Sequence, residues 1–300
     1  MNILVTGSSG LVGSQLVTFL REQGHAVFCL VRTATHLRDH EIHWNPLEKK
    51  LDAAKLEKLD AVVHLAGESI ASGRWTNEKK ERIRSSRVQG TQFLCDTLST
   101  LNDPPSVLIS ASAMGYYGNR GSEILTEESA AGSGFLPNVA CEWENAADTA
   151  SSNGIRVVKL RFGIILSPQG GAFAKMLVPF RMGIGGRIGN GQQYMSWIVL
   201  DDVIHIIKHA LQNKQVEGAV NISTPTPVTN LEFTKTLGTV LKRPTIFPLP
   251  GTLALLAFGE MADDLLLAST RMEPASLLKT GYAFRHPMLK EAFEHLLNIE

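Results

Sequence analysis

A short glycine motif near the N-terminus constrains the fold of this chain more than any other feature. The motif, Gly7-Ser8-Ser9-Gly10-Leu11-Val12-Gly13, follows a strand-like run at Ile3–Thr6 and opens a helical pattern. A strand, a glycine turn and a helix in this order begin the Rossmann unit that binds a dinucleotide. Gly7 permits the tight turn, Gly10 lets a pyrophosphate approach the backbone, and Gly13 lets the helix pack on the strand. The phosphates would bind free amides at the helix N-terminus; the alternative is a glycine-rich turn that binds no ligand.

Strand-like and helix-like segments alternate over the first two-thirds of the chain, which indicates a parallel sheet with crossover helices. The predicted strands are Ile3–Thr6, Ala26–Val31, Ile42–Trp44, Ala61–Leu65, Val107–Ser110, Arg156–Leu160 and Ala219–Ile222. Helices are predicted near 11–23, 77–100, 138–153 and 201–213, and an irregular loop at 182–191.

The fold class that follows is α/β, a doubly wound parallel Rossmann sheet with a smaller, mainly helical C-terminal substrate lobe. The Rossmann domain is expected at 1–165, with 200–224 returning to it. The segments 166–199 and 225–300 are expected to form the substrate lobe, which acts as a lid.

The end of the second predicted strand indicates which dinucleotide binds. NAD enzymes place an acid there for the ribose 2′-hydroxyl, but no Asp or Glu lies between Phe28 and His36. Arg32 stands there instead, and a guanidinium suits the 2′-phosphate of NADP(H). The alternative is a solvated surface arginine. The sequence therefore favours NADP(H) as the cofactor.

A further cofactor contact is expected where the strand Ala61–Leu65 ends. Small residues there let the backbone lie against the cofactor as it crosses the strand ends, so Leu65, Ala66 and Gly67 are predicted contacts. His64 lies inside an apolar strand, which favours a hydrogen-bonded structural histidine over a catalytic base.

The composition argues against several other classes of protein. Lys plus Arg (29) balance Asp plus Glu (29), whereas a nucleic-acid binder usually has a basic excess. The three cysteines lack metal-ligand spacing, which predicts reduced thiols and no metal site. The early first strand leaves no room for a signal peptide, and no apolar run approaches the roughly 18–20 residues of a membrane helix. A cytoplasmic protein that binds neither nucleic acid nor membrane is expected.

Several motifs together resemble the extended short-chain dehydrogenase/reductase superfamily. They are TGSSGLVG (6–13), DAVVHLAG (60–67), VLISASAMGYYG (107–118), TEES (126–129) and WIVLDD (197–202). Within it, the chain is similar to a poorly characterised NAD(P)-dependent epimerase-like branch with its own C-terminal domain, sometimes labelled a cell-division inhibitor. The marks of that branch are RWTNEKKERIRSSR (74–87), ACEWE (140–144), LRFGIIL (160–166) and NISTPTPVTNLEF (221–233). The resemblance covers essentially the whole chain.

The resemblance implies a catalytic Ser or Thr with a Tyr-x-x-x-Lys pair on one helix. In that unit the tyrosine is the acid/base, and the lysine lowers its pKa and holds the nicotinamide ribose. Ser112 matches the serine, but no tyrosine has a lysine four positions later. Counting back from Glu144 places Leu136 and Ala140 at those positions. A phenol with an ordinary pKa of about 10 is a poor base at neutral pH, so another group must carry any retained chemistry.

Two tyrosines are the first candidates for that group. Tyr116 and Tyr117 follow the serine strand and either face the nicotinamide, with Arg120 supplying positive charge, or pack the loop. Cys141 and Glu142 lie on the helix that normally carries Tyr and Lys. Cys141 is more often a buried small hydrophobe than a nucleophile.

Two positions depart from the pattern of relatives. Arg87 lies where relatives often carry Asn; it either reaches the cofactor or substrate, or caps a surface helix. Val199 replaces a common His. Asp201 and Asp202 are predicted to cap the helix that follows. On the substrate side, donors and an aromatic face are expected from Arg181, Arg187, Gln192, Gln193, Tyr194 and Trp197.

Three functions remain open on the sequence. The first is an NADP(H)-dependent oxidoreductase or epimerase acting on a small polar, nucleotide-sugar-like substrate, with Ser112, Tyr116 and Tyr117 as catalytic residues. The second is a catalytically degenerate NADP(H)-binding sensor or interaction protein, favoured by the missing Tyr-x-x-x-Lys pair. The third, an interaction protein in cell division, rests only on the branch's label. Relatives often form homodimers through the helices near 77–100 and 138–153, so a homodimer is open too.

Overall fold

The computed structural model describes residues 1–33, 35–71 and 73–299. Its strands are β1 (Asn2–Thr6), β2 (Ala26–Val31), β3 (Glu41–Asn45), β4 (Lys50–Leu51), β5 (Ala61–His64), β6 (Val107–Ala113), β7 (Ile124–Leu125), β8 (Arg156–Phe162), β9 (Ile164–Leu166), β10 (Tyr194–Met195), β11 (Trp197–Val199), β12 (Gly218–Ile222), β13 (Val228–Thr229) and β14 (Arg271–Met272). Its helices are α1 (Leu11–Glu22), α2 (Asn77–Ser99), α3 (Phe135–Asp148), α4 (Gly171–Arg181), α5 (Leu200–Gln212), α6 (Asn230–Leu241), α7 (Gly251–Phe258), α8 (Glu260–Ala262), α9 (Ala275–Lys279) and α10 (Leu289–Leu297).

Within the described residues, eight strands form one sheet in the order β12-β8-β6-β5-β1-β2-β3-β4. Neighbouring strands are parallel except for the β3–β4 pair at the edge. The chain builds outward from β1 in one direction through β2 and β3, and in the other through β5, β6, β8 and β12. The strand order therefore reverses at β1, and open sheets of this kind bind ligands at the carboxyl ends of the strands beside that reversal.

Apolar side chains cover both faces of the sheet, as expected for buried parallel strands. Ile3 and Val5 point to the face covered by α1 and α5, whereas Leu4 and Leu108 point to the face covered by α2 and α3. The α/β doubly wound sheet expected from the sequence is confirmed, and each predicted strand of the sheet is present with small shifts at its ends.

The C-terminal part of the chain contributes a separate apolar cluster. Phe173 of α4 stacks on Phe293 of α10, with ring centroids 5.5 Å apart, and Phe233 of α6 meets Phe293 edge-on at 5.0 Å. Trp197 lies fully buried in the same cluster and donates its indole N–H to the Thr226 carbonyl. Residues from 166–199 and 228–299 thus pack on one another, while the proposed boundaries at 165, 200 and 225 stay predictions.

The start of α5 differs from expectation. The helix begins at Leu200 with Val199 at its N-cap position, so the prediction that Asp201 and Asp202 cap it is wrong. Asp202 lies fully buried in the first turn of the helix and accepts hydrogen bonds from the Tyr282 hydroxyl and the backbone amides of Arg285 and His286. It fastens the C-terminal segment to the sheet domain instead.

The described residues lack a membrane-spanning helix and a cluster of metal ligands. No helix among them is both long enough and apolar enough to cross a membrane. They contain no group of three or more His, Cys, Asp or Glu side chains arranged to hold a metal ion.

Candidate functional site

At two positions of the glycine turn after β1, neighbouring backbone atoms leave no room for a side chain. Gly7 has φ +68°, and a Cβ there would lie 2.8 Å from the Leu65 carbonyl carbon. A Cβ on Gly13 would lie 2.2 Å from the Gly7 carbonyl oxygen. These two positions therefore require glycine, because backbone occupies the space that a side chain would fill.

The same turn presents its other side to solvent. Ser9 and Gly10 are exposed, and Ser8, Leu11 and Val12 are half-buried. Helix α1 starts at Leu11 without a side-chain cap. The first amides of a helix have no acceptor within the helix, so an anion at this position would receive their N–H groups and the favourable end of the helix dipole.

Three side chains lock the ends of β1 and β5 together beside this turn. Thr6 Oγ1 accepts the amides of Leu65 and Ala66, both at 3.1 Å, and lies 2.7 Å from His64 Nδ1. The single hydroxyl proton of Thr6 goes to Nδ1, so the proton of the neutral ring lies on Nε2 and is donated to Thr91 Oγ1 at 3.0 Å. Burial lowers the pKa of His64 to about 4. This supports a structural histidine rather than a base.

Arg32 lies exposed just beyond the end of β2. It is close enough to the Glu68 carboxylate, which follows β5, to help lower the pKa of that group, behind the larger effect of the Lys79 hydrogen bond at 2.6 Å. Arg32 and Gly67 therefore lie on the same edge of the sheet, on opposite sides of the glycine turn. A dinucleotide with a 2′-phosphate fits this edge. The glycine turn and the free amides at the start of α1 suit its pyrophosphate, and Arg32 suits its 2′-phosphate.

The serine expected to be catalytic belongs to a buried polar cluster. Ser112, 2% exposed, donates its hydroxyl proton to Glu144 Oε1 at 2.6 Å. Glu144 also accepts two hydrogen bonds from Arg161, at 2.8 and 2.9 Å. Burial alone lowers the pKa of Arg161, but hydrogen bonding and charge from Glu144 outweigh it and leave the pKa raised. We call these three residues the Glu144 cluster.

The two candidate tyrosines have different surroundings. Tyr117 is fully buried, and its hydroxyl donates to Asn221 Oδ1 at 2.7 Å and accepts from Arg161 Nη1 at 2.9 Å. Burial raises its pKa to about 12, and these contacts describe a side chain that packs the loop. Tyr116 is half-buried, and the Arg161 guanidinium lies 3.5 Å from its ring centroid. Across the described part of the chain, the Tyr116 hydroxyl has no hydrogen-bond partner.

Arg120 does not supply the positive charge expected near the tyrosines. It is bound to the Glu123 carboxylate and to the Ala130 carbonyl. Arg161, 44 residues further along the chain than Tyr117, fills that place. The sequence motif LRFGIIL contained this arginine but offered no sign of its partners.

Helix α3 carries apolar residues where Tyr and Lys are expected. Leu136 packs beside Gly115, where a Cβ would lie 3.2 Å from the leucine Cβ, and Ala140 is buried. Burial and the neighbouring Glu144 raise the pKa of the partly buried Cys141, which disfavours a thiolate nucleophile. Glu142 pairs with Arg84 on the outer surface of α2 and α3.

One residue of the edge was left undecided by the sequence. Arg87 of α2 lies under Gly67, where a Cβ would come 3.4 Å from the guanidinium carbon. Its other side covers the Trp143 ring at 5.1 Å. The alternative of a surface helix cap is therefore wrong, because the side chain points between the sheet edge and α3.

Two residues expected to face a substrate are structural instead. Trp197 is fully buried, and the buried Gln193 donates to the carbonyls of Ile188 and Leu266. Arg187 donates to the Asn190 carbonyl, and Tyr194 lies under Arg271, whose guanidinium is 4.7 Å from its ring centroid. Arg181 and Gln192 are exposed.

Comparison with known proteins identifies the family that this chain resembles. Residues 3–223 match the NAD dependent epimerase/dehydratase family, and residues 249–296 match a domain of unknown function, DUF1731. An epimerase family protein of Mycobacterium bovis, Mb2239, is 41% identical over 290 residues, which are 97% of this chain and 95% of the relative. The human epimerase family protein SDR39U1 is 34% identical over 300 residues, covering 99% of this chain and all of the human one.

Solved structures of related epimerase proteins are also similar to this chain. The human SDR39U1 structure with NADPH superposes with a TM-score of 0.90 at 33% identity and 99% coverage of both chains. A nucleoside-diphosphate sugar epimerase from Corynebacterium glutamicum gives 0.83 at 36% identity, covering this chain fully and 59% of the other. The chain belongs to the NAD dependent epimerase/dehydratase family, with the DUF1731 domain at its C-terminal end.

Proposed function

We propose that this protein binds NADP(H) across the carboxyl edge of its sheet and transfers hydride to or from a small polar substrate, as an oxidoreductase or epimerase. The observation that carries the proposal is the glycine turn after β1, together with Arg32 at the end of β2, where the chain has no acid between Phe28 and His36. The structure of human SDR39U1 with NADPH supports the choice of cofactor. When bound, the nicotinamide supplies or accepts the hydride; the chain's own residues bind, orient and move protons.

Of the three residues expected to be catalytic, Tyr116 has the most suitable surroundings. Its phenol is partly accessible, its ring lies on the Arg161 guanidinium, and its hydroxyl is free to meet a substrate oxygen. Ser112 can donate to a substrate carbonyl only by releasing Glu144, since a hydroxyl has a single proton. Tyr117 supports this arrangement from within the core. We therefore propose Tyr116 as the proton donor or acceptor and Ser112 as an orienting residue.

Calorimetric titration with NADPH, NADP⁺ and NAD⁺ tests the proposal. Wild type is expected to bind NADPH and NADP⁺ more tightly than NAD⁺. Arg32→Ala should weaken NADPH binding about tenfold or more, a loss of about 1.4 kcal/mol. Lys214→Ala is the matched control, because this exposed lysine lies between α5 and β12, at the opposite edge of the sheet. Absence of binding to any dinucleotide would overturn the proposal.

A second function is favoured by α3 itself. Leu136 and Ala140 cannot serve as a Tyr–Lys pair, which suits an NADP(H)-binding sensor or interaction protein without turnover. A sensor must bind its partner with different affinities in the NADP⁺ and NADPH forms, since a ligand shifts an equilibrium only through differential binding. NADPH consumption with a panel of carbonyl compounds separates the two functions. Action in the cytoplasm and a homodimer through α2 and α3 stay predictions.

A further inference from the structure

Arg87 is a half-buried cation, and no carboxylate among the described residues pairs with it. Its Nη1 donates to the carbonyls of Glu68 at 3.0 Å and Ile83 at 3.1 Å. The nearby Glu68 carboxylate is instead bonded to Lys79. Burial lowers the pKa of Arg87 to about 10, against a smaller opposing effect of Glu68. Over the described residues, its Nε and Nη2 have no hydrogen-bond partner.

Such an arrangement leaves part of the guanidinium available to a ligand. A buried charge is ordinarily paired, because leaving water is expensive unless hydrogen bonds and an opposite charge replace the solvent. Carbonyl oxygens satisfy one side of this guanidinium, and the Trp143 ring covers a face. The Nε and Nη2 donors remain available to an acceptor from outside the chain.

The position of Arg87 identifies the part of the ligand that it meets. The guanidinium lies against Gly67, just after β5, with Nη2 3.5 Å from an ideal Cβ there. In the sheet order β5-β1-β2, the glycine turn of β1 stands between Gly67 and Arg32. A dinucleotide whose 2′-phosphate meets Arg32 and whose pyrophosphate meets the turn therefore carries its other half toward Gly67.

Helix α3 leaves room for the Arg87 side chain beside Gly67. Ala140 is small and buried, and Trp143, one turn further along, is the platform on which the guanidinium rests. A long side chain from α2 thus brings positive charge to a region where α3 itself offers none nearby.

We propose that Arg87 binds the nicotinamide-side half of NADP(H), through the oxygens of its ribose and of the phosphate attached to it. The inference rests on the proposed function. Phosphate and ribose oxygens are acceptors, and guanidinium–phosphate hydrogen bonds are charge-assisted and strong. Arg87 is then a binding residue that holds the reactive half of the cofactor, and Arg32 holds the other half.

Two ligands separate these roles. NADPH carries both halves, whereas 2′,5′-ADP lacks the nicotinamide ribose and its phosphate. Calorimetry is done with both ligands on wild type, Arg87→Met, Arg87→Lys and Arg32→Ala. Methionine keeps an unbranched stem over Trp143 and removes the charge. Arg84→Met, one turn earlier on α2 and exposed, is the matched control.

Arg87→Met is expected to weaken NADPH binding about tenfold or more, which is about 1.4 kcal/mol, and to leave 2′,5′-ADP binding unchanged. Arg87→Lys should recover part of the loss, and Arg32→Ala should weaken both ligands. Unchanged NADPH binding in Arg87→Met, or equal weakening of both ligands, would overturn the role of Arg87. If wild type binds neither ligand, the proposed function fails and takes this inference with it.

Discussion

Two arginines lie beneath the same edge of the sheet, and their surroundings are opposite. Arg161, 3% exposed, has a bidentate carboxylate partner in Glu144, a hydroxyl partner in Tyr117 and the Tyr116 ring on its face. Arg87 has carbonyl oxygens on one side and an indole on its face, and it contacts no charged group among the residues that the structure describes. Described residues of the chain satisfy both the charge and the hydrogen-bond donors of Arg161, but they satisfy only part of the donors of Arg87.

The difference separates structural from functional polar groups. A fully satisfied buried network fixes how the elements meet: here β6, α3, β8 and the loop with Tyr117. A half-buried cation with open donors links fewer elements of the fold and is suited to binding a ligand. Changes to satisfied buried groups are therefore expected to destabilise the fold more than a change to Arg87.

The largest effect is expected from Arg161→Met. Removing one partner of a buried pair leaves the other charge uncompensated, which costs about 3–5 kcal/mol; here Glu144, 6% exposed, would be stranded. Urea unfolding of the apo protein measures the loss. The double variant Arg161→Met/Glu144→Leu should recover much of it, because no buried charge remains.

The matched control for this prediction is Glu142, which lies on α3, the same helix as Glu144. Glu142 also receives two hydrogen bonds from an arginine, Arg84, but the pair is on the surface. Glu142→Gln should change stability little, since exposed ion pairs contribute little. A small loss in Arg161→Met, comparable to this control, would show that the Glu144 cluster does not fix the fold.

A second prediction concerns how stability depends on pH through His64, whose two ring nitrogens are hydrogen-bonded to Thr6 and Thr91. His64 has a pKa of about 4 in the folded protein against 6.5 when unfolded. Below pH 6.5 the unfolded chain binds a proton that the folded chain does not, so stability falls as pH drops from 6.5 toward 4. The full effect of this shift is about 3 kcal/mol.

Urea unfolding at several pH values across that window measures the decline. His64→Asn removes the titrating group and should flatten the curve, at some cost in stability at pH 7 from altered hydrogen bonds to Thr6 and Thr91. His43→Asn, on β3, is the control and should retain the wild-type slope. An equally steep curve in His64→Asn would assign the acid sensitivity to other groups.

The sequence was sufficient for the sheet and for the backbone of the cofactor edge. Strand periodicity and glycine spacing are local signals, and Gly7 and Gly13 depend only on close neighbours and on the adjoining end of β5. The Glu144 cluster is different, because Ser112, Glu144 and Arg161 come from three elements separated in the chain. No short-range pattern marks such a contact.

The same reason explains the expectations that failed. Trp197 and Gln193 were expected to face a ligand because their residue types suit recognition, but the packing of α4, α6 and α10 and the 266–270 segment enclosed them. The role of Asp202 depends on Tyr282, 80 residues away. Arg87 stayed ambiguous because its position depends on how α2 approaches α3 and the end of β5.

The smallest stability effect is expected from Arg87→Met in the apo protein. The same substitution that strands a carboxylate at Arg161 strands none at Arg87, so the cost of leaving a buried charge without its partner does not arise there. We expect the free energy of unfolding to change by no more than about 1 kcal/mol, within the usual range for single substitutions. Urea unfolding of Arg87→Met beside Arg161→Met makes the comparison direct. A loss at Arg87 as large as that at Arg161 would mean that both arginines hold the fold, and that an open donor beneath this edge does not by itself indicate a ligand.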